Sequence, residues 1–398
     1  MQNPLSHWTR PLTIMSLLMA SFLPTQTIAQ SVSPAPIDYG AKAGAPLTEV
    51  GTYPWLANAA ALTSDGTIFL GLPRWPGYEA TPGIAVLDPQ SDTLRAFPGG
   101  AWNTWTPDAP TGEALVNVNT IHIFDDDTLW AVDQGTPFFG PKVDEAAAKV
   151  LQFDTKTGKL LRKIVLGPDI LPEGGSLNDL RLDAENAYFT DSGLGGIVIV
   201  NLETGKALRR LDGHVSVTAN PQRPPIGEKG QILTNPQGAQ IQVHSDPIEI
   251  SPDGQWLYYQ PLSGPLYRVP TKALRDETLS EADLEKQVEF VYDTPPLVGT
   301  AMDSKGNLYM AEMDRPRITV LSPDGTLRVL AQDDRLWGPD AMVISDDRAL
   351  YVPIPQTGRL AANRGPDGKN MIEPPFRLFR MALPDWAGDR ERVPPVFR

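Results

Sequence analysis

A short unit, made of a polar turn and a following β-rich strand, recurs six times along this chain of 398 residues. The turns are anchored at Asp65, Asp126, Glu185, Asp253, Lys305 and Asp347, so that successive units begin 42 to 68 residues apart. Each interval is long enough for a four-stranded antiparallel sheet with its loops. The repeat therefore predicts an all-β fold, a six-bladed β-propeller.

The segment Ser245–Asp276 shows the pattern of one such sheet most clearly. Ile248 and Ile250 alternate with polar or small neighbours, as a half-buried strand requires. Asp253-Gly254 supplies the chemistry of a tight turn, and Trp256–Tyr259 begins the return strand. One such meander cannot bury both of its faces, so each sheet needs a neighbour on either side.

Three further segments fit this plan. The segment near Leu47–Val50 is predicted to complete the last sheet and close the ring, because a closed ring leaves no open edge. The insertion Val215–Gln242 is polar and rich in Pro and Gly, which predicts a lid across one mouth of the ring. Within Thr271–Phe290, Ser280 precedes an acidic turn, which predicts a short helix.

The N-terminus has the pattern of an export signal. His7 and Arg10 precede the apolar run Leu12–Leu23, and Thr27-Ile28-Ala29 offers small residues at a cleavage site. The run is too short for a typical membrane span, although a retained anchor is the alternative. The predicted organisation is a signal peptide over residues 1–29, a flexible lead-in over 30–46 and the propeller over 47–398. The predicted location is secreted or periplasmic, with no stable membrane span after cleavage.

Charge and cysteine content narrow the classes of partner. The net charge is −14, and no basic stripe is visible that could meet nucleic acid or an anionic membrane. The sequence therefore predicts a small-molecule partner and no nucleic acid. With no cysteine in the chain, disulfides are excluded, and the predicted compartment rests on the N-terminal signal alone.

One position recurs at a fixed distance before the turns. Seven residues before each anchor stand Asn58, Asn119, Asn178, Asp246, Val298 and Asp340, which we call the inner-ring residues. An equal offset predicts an equivalent place at the start of the innermost strand, facing the central channel. Amides and carboxylates there have two interpretations, which both stay open. They are either caps for backbone groups at strand starts or oxygen ligands for a hard cation such as Ca²⁺.

Three other polar residues are weaker candidates. Asp133 and Asp191 end equivalent second strands and are each followed by Gly two residues later, which favours a carboxylate that braces the turn. His122 alternates with Ile121 and Ile123, which favours a satisfied interior residue over a catalytic base.

Several strings of the sequence resemble the Yellow/major royal jelly protein family. They are LWAVDQG, AYFTDSGLGGIVIVNLETGKALRRL, IEISPDGQWLYYQPLSGPLYRVPTKALRD, AMDSKGNLYMAE and LWGPDAMVISDDRALYV with FRLFRM, between Val116 and Met381. The resemblance implies a six-bladed propeller, secretion and a small-molecule pocket in the channel; some members are associated with dopachrome conversion and others bind amines or sterols. The chain departs from the insect members in lacking cysteines and in carrying PIPQTGRL after the last second strand, so ligand specificity is not carried over.

A more distant resemblance is to the SMP-30/gluconolactonase propellers, which hold a divalent ion with Glu, Asn, Asn and Asp from successive inner strands. Asn119, Asn178 and Asp246 match the last three of these, whereas Asn58 stands where Glu is expected. The loss of that carboxylate should weaken cation binding.

Together these observations predict a protein that binds a small organic molecule in its channel. The predicted ligand-binding residues are Asn58, Asn119, Asn178, Asp340 and Trp337. The alternative is a metal-assisted lactone hydrolase or a dopachrome-type isomerase, with Asn119, Asn178 and Asp246 as metal ligands and Asp246 as the catalytic carboxylate. The expected cofactor is then Ca²⁺ or another divalent cation, and otherwise none.

Overall fold

The computed structural model describes residues 43–88, 93–137 and 143–390. The predicted signal peptide over 1–29, and the predicted lead-in up to residue 42, lie outside the described residues. The described part forms six small antiparallel sheets arranged as a six-bladed β-propeller, which confirms the predicted fold.

The strands follow one another in chain order. The first two are β1 (Ala43–Gly44) and β2 (Thr48–Tyr53), and blade 1 contains β3 (Ala59–Leu62), β4 (Ile68–Gly71), β5 (Ile84–Asp88) and β6 (Thr93–Ala96). Blade 2 contains β7 (Val118–Ile123), β8 (Thr128–Asp133), β9 (Lys149–Asp154) and β10 (Leu160–Val165), and blade 3 contains β11 (Leu177–Leu182), β12 (Asn186–Asp191), β13 (Ile197–Asn201) and β14 (Ala207–Arg210). Blade 4 contains β15 (Ser245–Ile250), β16 (Trp256–Pro261), β17 (Leu266–Pro270) and β18 (Glu289–Tyr292). Blade 5 contains β19 (Leu297–Met302), β20 (Leu308–Glu312), β21 (Arg317–Leu321) and β22 (Leu327–Gln332), and blade 6 contains β23 (Val343–Ile344), β24 (Ala349–Ile354) and β25 (Phe376–Ala382).

The first strand of each blade lies on the inside of the ring. Strands β3, β7, β11, β15, β19 and β23 each contact the next one around the ring, and β23 contacts β3. We call the end of the central channel at which these strands begin the upper mouth and the other end the lower mouth. The six predicted turns all join a first strand to a second strand and therefore lie at the lower mouth.

Strand β2 closes the ring, as predicted for the segment near Leu47–Val50. It pairs antiparallel with β25, from Thr48 opposite Arg380 to Tyr53 opposite Phe376, and is the outer strand of blade 6. The hydroxyl of Tyr53 also donates to the backbone oxygen of Arg377 at 3.0 Å.

The last residues of the predicted lead-in are paired. Ala43 lies opposite Gln332, so β1 adds a fifth strand to blade 5. Gly44 has a φ of +79°, and a Cβ there would lie 2.1 Å from the oxygen of Leu330. The end of the predicted flexible lead-in is therefore a paired strand, because the outer edge of β22 offers unpaired backbone groups that an extended segment satisfies.

The core lies between neighbouring blades. The second strands β8 and β12 are buried along their whole length. Val132, Val150, Leu180, Phe189 and Val198 belong to one cluster between blades 2 and 3. Both faces of these sheets are covered, because a blade is packed by its neighbour on either side.

Helices are few and short. Helices α1 (Thr271–Arg275) and α2 (Glu281–Glu285) connect β17 to β18, and the Ser280 hydroxyl caps α2 by accepting from the amide of Asp283 at 3.2 Å, which confirms the predicted helix. Single 3₁₀ turns lie at Gly100–Asn103, Glu228–Gly230, Asp334–Leu336, Thr357–Arg359 and Ala361–Asn363. Within the described ranges, no helix has the length and apolar character needed to cross a membrane.

Candidate functional site at the upper mouth

Three asparagines of the inner ring form a row across three neighbouring blades. The side-chain nitrogen of Asn58 donates to Oδ1 of Asn119 at 3.2 Å. The side-chain nitrogen of Asn119 donates to Oδ1 and to the backbone oxygen of Asn178, both at 3.0 Å. These residues are 61 and 59 positions apart in the chain. They meet because they occupy equivalent positions in successive blades.

Two carboxylates continue the ring in blades 4 and 6. Asp246 is the second residue of β15 and is 8% exposed, and Asp340 precedes β23. Burial raises the pKa of Asp246 well above its usual range, and the charges of Asp340 and Asp179 raise it further. Burial also raises the pKa of Asp340, although the amide of Ala341 donates to its Oδ1 at 2.8 Å. No donor among the described residues bonds to the carboxylate of Asp246.

An amide oxygen of the ring also lacks a donor among the described residues. Oδ1 of Asn58 is buried and accepts no hydrogen bond within the described part of the chain. Buried acceptors without donors are costly, and two buried carboxylates repel each other. The upper mouth therefore offers oxygen acceptors that hydrogen-bond donors or a positive charge would satisfy.

The inner ring carries oxygens of the type that hard cations prefer. Ca²⁺ takes carboxylate and amide oxygens, which are the groups offered by Asn119, Asn178 and Asp246, with Asn58 beside them. Among the residues with described positions, no group of three or more His, Asp or Glu side chains is arranged to hold a metal. A cation at this mouth would therefore depend on the asparagine oxygens.

The inner-ring position of blade 5 is apolar because it packs against the insertion Val215–Gln242. Leu233, Leu262 and Met313 form a small buried cluster, and Val298 packs against it. Leu233 comes from the insertion itself, so this segment reaches the upper mouth at the fifth blade.

A second loop fastens the insertion. The amide of Thr234 donates to the oxygen of Asn363 at 3.2 Å, and the amide of Gly365 donates to the oxygen of Thr234 at 3.0 Å. Nε of Arg359 donates to a carboxylate oxygen of Glu228 at 2.6 Å. The insertion and the loop between β24 and β25 thus form one cover.

Trp337 lies beside the ring and not within it. It is 6% exposed and lines a cavity of about 270 Å³ with Gln356, Arg359 and Phe379, and none of the inner-ring residues lines that cavity. Phe379, which lines the same cavity, is fully buried.

A network of charged side chains lies below the ring, where His122, Arg181 and Glu249 line a cavity of about 80 Å³. Nε2 of His122 lies 2.6 Å from Oδ1 of Asp179, and Arg181 donates to the other oxygen of Asp179 at 3.0 Å. Arg181 also donates to both oxygens of Glu249, at 2.5 and 2.8 Å. Thr300 donates to Glu249 at 2.9 Å. Four blades are joined by these contacts.

The charges within this network compensate one another. Burial opposes ionisation of Asp179, but the charges of Arg181 and His122 outweigh it and hold its pKa below the usual range. Burial likewise disfavours the charge of Arg181, and Asp179 and Glu249 outweigh it and raise the pKa of Arg181. Both carboxylates of the network therefore have a cationic partner, whereas the carboxylate of Asp246 has none among the described residues.

Sequence reasoning assigned no part in the channel to Asp179, Arg181 or Glu249. The available signal was that charged residues occur in strands that are otherwise apolar, in LNDLRL and SDPIEI. His122 is a satisfied interior residue, which agrees with the interpretation favoured from the sequence.

Asp133 and Asp191 brace turns, which agrees with the interpretation favoured from the sequence. Asp133 accepts from the amides of Val116 and Asn117, both at 2.8 Å, and from Lys149 at 2.8 Å. Asp191 accepts from the amides of Ser176 and Gly193 and is paired with a buried arginine. Both carboxylates are fully buried and committed to the fold.

Comparisons with known proteins agree with this architecture. The family model described as major royal jelly protein matches residues 116–354, more than half of the chain. No curated protein matches the chain in sequence. A luciferin-regenerating enzyme has a similar structure, with a TM-score of 0.52 and 9% identity over 88% of this chain and 100% of its own.

Two further solved structures are similar. A gluconolactonase of Xanthomonas campestris has a TM-score of 0.50 and 13% identity over 85% of this chain and 90% of its own. A calcium-binding regucalcin of Agrobacterium tumefaciens has a TM-score of 0.49 and 16% identity over 88% of this chain and 98% of its own. At such identities the likeness concerns the fold alone.

Proposed function

Because this chain belongs to the major royal jelly protein family, we propose that it binds a small organic molecule at the upper mouth of its propeller channel. The observation that carries the proposal is a pair of acceptors that receive no hydrogen bond from the described residues. They are the buried Oδ1 of Asn58 and the carboxylate of Asp246, a residue that is 8% exposed. The second carboxylate, of Asp340, accepts from a single backbone amide. A bound molecule with hydroxyl or amino groups would satisfy these acceptors and lower the cost of burying them.

The cover formed by the insertion supports a bound organic molecule over a freely exchanging ion. Leu233 and Val298 supply apolar surface next to the acceptors. Pockets for small molecules combine apolar walls with a few placed polar groups, which is the combination found at this mouth. Export by the predicted signal peptide, to a secreted or periplasmic location, is part of this proposal.

Native mass spectrometry tests the proposal. The purified full chain should carry an adduct of small-molecule mass, and Asp246→Asn should reduce its occupancy. Asp253→Asn is the matched control, because Asp253 belongs to the same blade but lies in the turn between β15 and β16, where its carboxylate accepts from the Ser251 hydroxyl. If the protein carries no adduct after gentle purification and soaking in cell extract, or if the two variants retain it equally, the proposal fails.

A second candidate function is metal-assisted lactone hydrolysis, or isomerisation of the dopachrome type. It is favoured by Asn119, Asn178 and Asp246 standing in three consecutive blades with oxygens at the same mouth. These three residues would hold a divalent cation, which when bound polarises a carbonyl oxygen. Asp246, or the neighbouring carboxylate of Asp340, would take the proton of the attacking water or of the substrate carbon. Hydrolysis of a lactone panel with and without calcium separates this function from binding alone.

A further inference from the structure

Arg74 is a buried cation that has no counter-ion in the part of the chain that the structure describes. It follows β4 and is 4% exposed. No carboxylate of the described residues lies within ion-pair distance of it, whereas the buried Arg181 and Arg209 each have two such partners. Burial lowers the pKa of Arg74, and the charge of Asp133 only partly opposes the effect. An unpaired buried guanidinium is costly, so its presence calls for an explanation.

The guanidinium of Arg74 is held in such a way that one of its edges makes no hydrogen bond to the described residues. Nη1 of Arg74 donates to the backbone oxygens of Leu115 and Val116, at 2.8 and 2.7 Å. The guanidinium carbon lies over the ring of Trp105, 5.6 Å from the ring centroid. Nε and Nη2 donate to nothing in the described chain. These two nitrogens form the edge with which arginine grips a carboxylate through two parallel hydrogen bonds.

Other unsatisfied donors belong to the same contact network. Oδ1 of Asn117 accepts from the amide of Arg74 at 2.7 Å, and the side-chain nitrogen of Asn117 donates to Gln134 at 3.2 Å. The side-chain nitrogen of Gln134 and Nε1 of Trp105 are buried and donate to nothing in the described residues. A cluster of donors without acceptors is the reverse of the situation in the inner ring, and it fits a ligand group that brings acceptors.

The two clusters lie at the same mouth. Asn117 precedes the inner-ring residue Asn119 by two positions, which is about 7 Å along a strand. We propose that Arg74 binds the carboxylate of the small molecule at the upper mouth, and that this ligand is an organic acid that also carries a hydroxyl or amino group. The inference rests on the proposed function, because the hydroxyl or amino group is the part that meets Asn58 and Asp246.

Benzoate and benzamide are suitable probes, because they differ only in the charged carboxylate. Titration calorimetry on the full chain should show benzoate binding and little benzamide binding. Arg74→Gln should weaken benzoate binding about tenfold or more, since hydrogen bonds to a charged group are lost. Arg209→Gln, which removes another buried arginine with committed partners, should leave benzoate affinity within the wild-type range.

Equal affinity for the two probes, or benzoate binding unchanged by Arg74→Gln, overturns the inference. If circular dichroism shows that Arg74→Gln does not fold, the benzoate affinity of Arg74→Lys and the preference of the wild type for benzoate over benzamide decide the inference. Asp246→Asn should retain benzoate binding, which separates this site from the inner ring. If the purified protein carries a ligand that lacks an acid group, the inference about Arg74 fails and the proposed function stands. If the protein binds benzoate but carries no ligand after purification, the proposed function fails and the carboxylate site at Arg74 stands.

Discussion

Replacing Asp133 by asparagine should lower the melting temperature of the propeller by several degrees. Asp133 and Lys149 are both completely buried and lie 2.8 Å apart. Asp133 also accepts from the amides of Val116, Asn117 and Gly135. Asparagine keeps the shape of the side chain but removes the charge and turns one acceptor into a donor, so Lys149 would be left as an unpaired buried cation.

The magnitude follows from the geometry of the pair. Removing one partner of a buried ion pair costs about 3–5 kcal/mol. The entropy of unfolding is roughly 2.1 cal/mol/K per residue, so a unit of this size loses about 1.4 °C of Tm for each kcal/mol. The expected decrease is therefore about 4–7 °C.

Differential scanning calorimetry near pH 7 measures this decrease. Asp324→Asn is the control, because Asp324 is an exposed turn carboxylate between β21 and β22 and should leave the Tm unchanged. The double variant Asp133→Asn with Lys149→Met should recover part of the loss, since no unpaired charge stays buried. A decrease below about 1 °C for Asp133→Asn, or losses that simply add in the double variant, would refute the reasoning.

Two further predictions concern the upper mouth. In millimolar CaCl₂ the Tm of the wild type should rise, because ligand binding adds RT ln(1 + [L]/Kd) to the free energy of unfolding, with a Kd of about 10⁻⁴–10⁻³ M. Asp246→Asn should abolish this rise and Asn58→Glu should enlarge it. A wild type whose Tm does not rise would mean that the inner ring is structural. The second concerns Glu228, where burial is outweighed by the hydrogen bond and charge of Arg359, which hold its pKa below the usual range. Its contribution should be complete above roughly pH 4.3 and should be lost as the pH falls through the lower folded-state pKa. Glu228→Gln should therefore lower hydrogen-exchange protection of residues 225–241 near pH 7 but not below that pKa, with Glu285→Gln as a control; equal protection near pH 7 would count against the ion pair.

Much of the fold was predictable because its signals are local. Turn chemistry at Asp253-Gly254 and strand alternation at Ile248 and Ile250 act within a few residues, and each blade repeats them. The closing strand could be predicted because a ring with an open edge is unfavourable. The short helix could be predicted because Ser280 stands before an acidic turn. The resemblance to the major royal jelly proteins is confirmed over residues 116–354.

The site was predictable only where the repeat itself carried the information. Equal offsets placed Asn58, Asn119 and Asn178 together, because equivalent strands present equivalent positions to the axis. No such rule applies to Arg74, whose proposed role depends on the absence of a counter-ion among the described residues around it. The packing of Leu233 against the mouth likewise depends on the path of an irregular insertion, which no periodicity encodes.

The pairing of β2 with β25 has a consequence for how the chain folds during synthesis. The contact between Tyr53 and Arg377 joins positions 324 residues apart, and contacts of such separation form late because a very large loop must close first. Blades 1 to 5 can assemble as the chain emerges, but in blade 6 the outer strand β2 has no partner until β25 arrives. A nascent or prematurely terminated chain that lacks Phe376–Ala382 therefore presents strand edges that can pair with other chains, and it should aggregate under conditions in which the finished ring does not.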